Sequence, residues 1–163
     1  MDNKAIYDFY SRNEIQKIIV KSAKDREVGV VYGEKGFGKR PDLIQFDNDI
    51  LEFAKSGATS FSISVEHWRD PLKLATSLTK KQLDELRIGW DFMIDIDSNN
   101  LDYSKTAASL VIDALSFHNI RNISVKFSGN RGFHIAVPFS SFPSSINNQE
   151  TRLLYPEYAK TLG

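Results

Sequence analysis

Gly89-Trp90-Asp91-Phe92-Met93-Ile94-Asp95-Ile96-Asp97 is the stretch on which the reading of this chain turns. Side chains alternate faces along a strand, which puts Phe92, Ile94 and Ile96 on one side and Asp91, Met93, Asp95 and Asp97 on the other. One face builds a core and the other carries charge. Carboxylates are poor strand formers, and a half-buried row of them costs free energy unless a cation or a hydrogen-bond network compensates. At ~3.3 Å per residue, Asp95 and Asp97 lie ~7 Å apart at Cα and can share an ion, whereas Asp91 lies ~20 Å from Asp97 and cannot. Asp91 is therefore expected to be structural. The Asp95/Asp97 pair, two hard oxygen donors closing a strand, suits Mg²⁺ or Mn²⁺. Taken alone, D-x-D is a weak signal, and an exposed strand end whose acids face water is the plain alternative.

The rest of the composition narrows the field. With 163 residues, 41% of them apolar, the chain can bury one real core, and a single globular domain spanning residues 1–163 is expected. Lys and Arg (21) balance Asp and Glu (21), so any nucleic-acid binding must come from a local patch rather than from net charge. The absence of cysteine excludes disulfides and thiolate zinc sites within this chain. No apolar run approaches the ~20 residues of a membrane span and Met1 to Lys4 begins no signal-peptide core, so no membrane role and a cytoplasmic location are expected.

Residues 2 to 21 read as one amphipathic helix with Asp2 as N-cap and Ile6, Phe9, Tyr10, Ile18 and Ile19 near helical spacing. Arg26 to Tyr32 reads as a strand running into Gly33-Glu34-Lys35-Gly36-Phe37-Gly38-Lys39-Arg40. That loop matches G-x-x-x-x-G-K-[ST] until its last position, where Arg40 replaces the hydroxyl that would hold Mg²⁺ and Pro41 disfavours a helix. A P-loop-like NTPase is thus disfavoured. Lys35, Lys39 and Arg40 are read as contacts for a polyanion, with a flexible hairpin or lid as the equal alternative.

Further along, Asp47 to Lys55 reads as a short helix. Thr59 to Glu66 reads as a half-buried strand with Phe61, Ile63 and Val65 on one face, and a helix begins at Thr79 with Leu83 and Leu86 inward. Tyr103 to Phe117 reads as a helix with Ala107, Leu110, Val111, Ala114 and Leu115 on its buried stripe, ended by Asn119. Asn122 to Phe127 and Phe133 to Val137 then form a β-hairpin around Gly129-Asn130-Arg131-Gly132, and Glu150 to Leu162 opens a last helix.

The hairpin tip is the local basic patch that net charge hides. Gly129 and Gly132 let backbone amides approach an anion closely, Lys126, Arg131 and His134 add cationic or donor groups, and no acid lies between Arg121 and His134. A tight turn with solvated polar groups is the competing account of any single Gly-Asn-Arg-Gly. It weakens when Ser128, Arg131 and His134 cluster around the turn.

Taken together, Asp91 to Asp97 and Ser128-Gly129-Asn130-Arg131-Gly132-Phe133-His134, separated by one helix, resemble the catalytic subunit of the archaeo-eukaryotic DNA primase superfamily. There an apolar strand ends in D-x-D and a later S-G-x-R/K-G-x-H hairpin follows. Phe9-Tyr10, Arg26-Glu27, an Arg before an Asp-rich helix and Ser64 to Pro71 extend the likeness along the chain. The resemblance implies an α/β (α+β) fold, with a mixed or antiparallel sheet flanked by helices. It further implies template-directed nucleotidyl transfer, in which Asp95 and Asp97 hold two Mg²⁺ or Mn²⁺ ions and Ser128, Gly129, Arg131, Gly132 and His134 grip the triphosphate. Nucleoside triphosphates, a single-stranded DNA template, a primer and a large regulatory primase subunit are the partners it implies.

Three departures are plain, the first being that the spacing from Arg40 to Phe46 is looser than the family's Arg-x-x-x-Phe, so that Arg40 carries over only weakly. The third metal carboxylate of that family comes from a later strand with no counterpart after His134, so the chain is expected to be incomplete at its C-terminus. The family's cysteine-rich zinc insert is also missing. A non-catalytic nucleotide- or nucleic-acid-binding module is the alternative from another class.

Overall fold

The computed structural model describes residues 3–162, Leu162 by its backbone alone. The expected Asp2 cap and the closing Gly163 lie outside the described residues. The chain is mixed α and β with small antiparallel sheets, and it divides into two compact units, one up to Ile88 and one from Gly89 onward.

In the N-terminal unit the single helix expected over residues 2–21 is two, α1 (Asn3–Tyr10) and α2 (Asn13–Ala23). The break at Ser11-Arg12 strips the Tyr10 carbonyl of its helical partner, and the buried Gln16 amide replaces it, donating from Nε2 at 2.7 Å. An interior polar side chain thus closes one helix while belonging to the next. Strand β1 (Val28–Val31) is followed by a three-residue 3₁₀ turn (Gly33–Lys35) and then α3 (Asp47–Lys55). The carboxylate of Asp49 accepts from the Gln45 and Phe46 amides at 2.8 and 2.9 Å, satisfying donors at the start of α3.

The expected strand over 59–66 is interrupted: β2 (Ser60–Ile63) pairs antiparallel with β1, and β3 (Glu66–Trp68) begins after a break at Ser64-Val65. Ser64 causes the break by turning its hydroxyl onto the Glu66 carbonyl and accepting from the Glu27 amide. Helix α4 (Lys80–Leu86) starts where the sequence predicts, with the Thr79 hydroxyl and the Gln82 side chain capping each other's backbone amides. The core of this unit is Ile6, Tyr10, Ala23, Val28, Val30, Ile44, Ile50 and Ala58.

In the C-terminal unit the acidic stretch is also divided. Strand β4 (Arg87–Trp90) ends at Asp91, whose Oδ1 accepts from the Phe139 amide at 3.0 Å, and β5 (Phe92–Ile96) follows. Asp91 is structural, as its distance from Asp97 predicts. Helix α5 (Leu101–Phe117) leads to β6 (Ser124–Phe127) and β7 (Phe133–Val137). Both β5 and β6 run antiparallel to β7, which lies between them in the order β5-β7-β6.

The buried stripe of α5 differs from the predicted one. Ser104 and Ala108 are buried and Ala107, Val111 and Leu115 half-buried, while Leu110 and Ala114 face outward, Leu110 at 64% exposure. The small side chains of Ser104 and Ala108 bring the helix close to the sheet, so volume rather than hydrophobicity selects the inner face. The helix expected over 150–162 is instead the short hairpin β8 (Ser145–Ile146) and β9 (Gln149–Glu150), a 3₁₀ turn (Thr151–Leu154) and α6 (Glu157–Leu162). Pro156 separates the turn from the helix because it has no amide to donate. This segment supplies the core: Trp90 is fully buried among Phe139, Phe142, Tyr155 and Tyr158, and its indole N–H donates to the Thr151 carbonyl at 2.9 Å.

Candidate functional site

Strand register alone brings the two predicted motifs together. Opposite residues in an antiparallel ladder share a face, and the pairings Met93↔Ala136, Asp95↔His134 and Ile96↔Phe133 set the acidic end of β5 beside the start of β7. On the other edge of β7, Lys126 stands opposite His134 and Ser124 opposite Ala136. One sheet face therefore carries Met93, Asp95, Lys126, Ser124 and His134. The opposite face carries Phe92, Ile94, Ile96, Val125, Phe127, Ile135 and Val137, with α5 packed on its β5 and β7 side.

The loop between β6 and β7 is built by close contact. Ser128 N–H donates to the Gly132 carbonyl at 2.9 Å, and Gly129 sits at φ +110°, where a side chain would be strained. At Gly132 a Cβ would fall 2.6 Å from the Ile96 carbonyl oxygen and 2.7 Å from Ser128 Oγ, so only glycine lets the loop lie against the end of β5. Arg131 reaches the turn that follows Asp97 and donates from Nη1 to the Asn99 carbonyl at 2.9 Å. That turn is closed by Ser98, whose Oγ accepts from the Asn100 amide at 3.0 Å, and Asn100 caps α5 through the Asp102 amide at 2.8 Å.

His134 Nε2 lies 3.4 Å from Asp95 Oδ1, with the Asp95 side chain 69% exposed and the His134 side chain 32%. Asp97, Ser128, Gly129 and Arg131 are exposed and Gly132 is buried. Asp95 and Asp97 are thus both exposed at the end of β5. Among the described residues the ion pair made by these two carboxylates is that of Asp95 with the His134 imidazole. Among the described residues no group of three or more His, Cys, Asp and Glu side chains is arranged to hold a metal ion.

Lys35, Lys39 and Arg40 belong to the N-terminal unit. The glycine-rich loop folds back on β1: Gly38 N–H donates to the Val30 carbonyl, Tyr32 to Gly36, Gly36 to Gly33, and Gly33 to Thr59 Oγ1. A phosphate cradle needs those amides free, and here they are spent. Arg40 forks onto Glu27, Nε to Oε1 at 2.6 Å and Nη2 to Oε2 at 2.7 Å, with its guanidinium over the Phe37 ring. That hydrogen bond holds the Arg40 pKa above its ordinary value. Lys35 and Lys39 are exposed.

Sequence reading missed the turn at Ser98-Asn99-Asn100 as the seat of Arg131, because a carbonyl acceptor leaves no trace in residue type. It also missed a groove of about 560 Å³ in the N-terminal unit, lined by Glu27, Arg40, Ser64, Glu66 and Trp68 among others. The Trp68 indole N–H is buried there with no hydrogen-bond partner.

No family model matches the chain. A stretch of 61 residues is 38% identical to the uncharacterized protein MJECS07 of Methanocaldococcus jannaschii, an archaeon. The match covers 37% of this chain and 14% of that protein, so the chain spans a small part of its relative's length. No helix of the described residues is long and apolar enough to cross a membrane.

Proposed function

We propose that this chain carries the metal- and nucleotide-binding core of a DNA primase or primase-polymerase, a template-directed nucleotidyltransferase of the archaeo-eukaryotic primase type. The observation that carries the reading is the register that seats Asp95 opposite His134 and lays Gly132 against the end of β5. Two motifs about thirty residues apart in sequence thereby form one face with carboxylates at one edge and anion donors beside them.

In this reading Asp95 and Asp97 hold Mg²⁺ or Mn²⁺, which when bound activates a primer 3′-hydroxyl and stabilises the pyrophosphate leaving group. Arg131 offers a planar fork for phosphate oxygens, held near the site by its bond to Asn99. His134 donates to the same triphosphate once Asp95 is occupied by a cation. Ser128 Oγ and the amides around Gly129 and Gly132 complete a fixed set of donors, which offsets charge that builds on the phosphates in the transition state. Lys126 lies one strand further out, and the exposed Lys35 and Lys39 are assigned to a nucleic-acid backbone, whereas Arg40 is taken up by its fork onto Glu27. Single-stranded template, primer and a regulatory primase subunit are the partners of the whole protein.

The test is incorporation of labelled nucleotide onto a primed single-stranded DNA by the protein as expressed from its own gene, with Mn²⁺ present. Incorporation that disappears in Asp95→Asn and Asp97→Asn supports the proposal. Metal-dependent nucleotide binding with no incorporation on any primed template would instead identify a non-catalytic nucleotide-binding module.

A further inference from the structure

We propose that the chain forms a two-fold symmetric dimer through the free edge of β6, joining two three-stranded sheets into one of six. The occupant of that edge is a second copy, and the pairing is independent of any ligand at Asp95 and Asp97.

The hydrogen-bond parity of the hairpin decides which groups the edge offers. Ser128 N–H donates to the carbonyl of Gly132 opposite it, and such bonded pairs alternate with unbonded ones along an antiparallel ladder. Lys126↔His134 and Ser124↔Ala136 are therefore bonded pairs, and the amides and carbonyls of Val125 and Phe127 point away from β7. No strand of the sheet lies on that side. All four residues of β6 are exposed, Val125 and Phe127 by about half.

The residues of this edge match themselves in one register. Two registers keep most of the strand paired across a two-fold axis, one centred on Lys126 and one on Val125. With the axis at Lys126 the two ammonium groups stand directly opposite each other, which is destabilising. With the axis at Val125, its amide and carbonyl exchange both bonds with those of Val125 in the second copy, Phe127 meets the half-buried Ile123, and Lys126 meets Ser124. Apolar side chains then share one face, and each lysine faces a hydroxyl. Ser124 Oγ donates to the Ala136 carbonyl at 3.5 Å, which leaves its lone pairs to that ammonium. So short an edge buries less than ~1,200 Å², so a dissociation constant on the order of tens of micromolar is expected. The competing account is that Lys126 keeps the edge solvated and unpaired, and it predicts no dependence on concentration.

Sedimentation equilibrium of the full chain, from about 1 to about 300 μM, separates these accounts. The mass is expected to rise reversibly from 18.5 kDa toward twice that value. Val125→Pro removes an amide that takes no part in the β7 ladder, a change that edge strands tolerate, and is expected to leave a monomer at every concentration. Ser124→Lys, which sets lysine opposite lysine, is expected to weaken the dimer about fivefold, and Ser124→Glu to tighten it about fivefold. A mass that stays at 18.5 kDa throughout overturns the proposal in favour of the solvated edge. Association that Val125→Pro leaves intact, that the two Ser124 variants shift in the same direction, or that runs past the dimer overturns it as well. Circular dichroism verifies the fold of each variant, and if Val125→Pro unfolds, the opposite effects of the two exposed Ser124 substitutions carry the test.

Discussion

His134 stands directly opposite Asp95 across the β5/β7 ladder, with Nε2 3.4 Å from Oδ1. The pair joins a group that attracts cations to one that donates to anions, at one ladder position on an open face. A ligand that satisfies both must carry both signs, as a metal–nucleotide complex does. His134→Ala is therefore expected to weaken Mn²⁺–nucleoside triphosphate binding about tenfold, because one charge-assisted donor is lost. Mn²⁺ affinity in the absence of nucleotide should change little. Calorimetry with metal alone and with metal plus nucleotide reads the two separately, and a large loss with metal alone would make His134 a metal ligand instead.

Gly132 is the point where hairpin and acidic strand touch, and an added methyl group meets the Ile96 carbonyl at 2.6 Å. Backbone cannot yield as a long side chain can. Gly132→Ala should cost about 1–3 kcal/mol in urea unfolding, by overpacking, and should abolish nucleotide binding even where the protein stays folded. Unchanged stability would mean that the loop stands off from β5.

The corrected face of α5 is testable by charge. Leu110→Glu places a carboxylate in solvent and should alter stability by no more than about 0.5 kcal/mol. Ala108→Glu forces an unpaired charge against the sheet and should cost more than about 2 kcal/mol. The reverse order in thermal melts would restore the stripe expected from hydrophobic spacing.

The Tyr10 hydroxyl, which donates to the Thr59 carbonyl at 3.2 Å, has its pKa raised by burial above the ordinary value of 10.0. A raised folded-state value means the native protein favours the neutral phenol. The resulting stability is fully present below pH 10.0 and is lost as pH rises through the folded-state value. Tyr10→Phe should flatten that alkaline decline. The measurement is denaturant unfolding from pH 8 to 11.

Pattern and spacing locate β5 and the β6–β7 hairpin in this chain. The alternation of Phe92, Ile94 and Ile96 with Met93 and Asp95 identifies β5 and its two faces, and the apolar flanks of Gly129 to Gly132 identify the hairpin. Asp91 is recognised as structural from distance alone. The errors share a cause. Ser11-Arg12, Ser64-Val65 and Asp91 all interrupt elements that periodicity runs together, and at two of these breaks a polar side chain restores the hydrogen bonding: Gln16 on Tyr10, Ser64 on Glu66. Such partners depend on tertiary position, which residue spacing does not encode. The α5 face was misassigned because Leu110 is more apolar than Ser104, whereas close approach to the sheet selects the smaller side chain. Phe139, Phe142, Tyr155 and Tyr158 around Trp90 went unrecognised because a polar, proline-containing segment gives no periodic signal.

The central claim is that one metal-dependent nucleotide site lies at Asp95, Asp97 and the hairpin, separate from the glycine-rich loop of the N-terminal unit. Titration of the chain with Mn²⁺ and labelled nucleoside triphosphate, repeated on Asp95→Asn, Arg131→Ala and Lys39→Ala, tests it most directly. The account predicts metal-dependent binding that is lost in Asp95→Asn and Arg131→Ala and kept in Lys39→Ala. Loss in Lys39→Ala alone would contradict it and would move the phosphate site to Gly33 to Arg40.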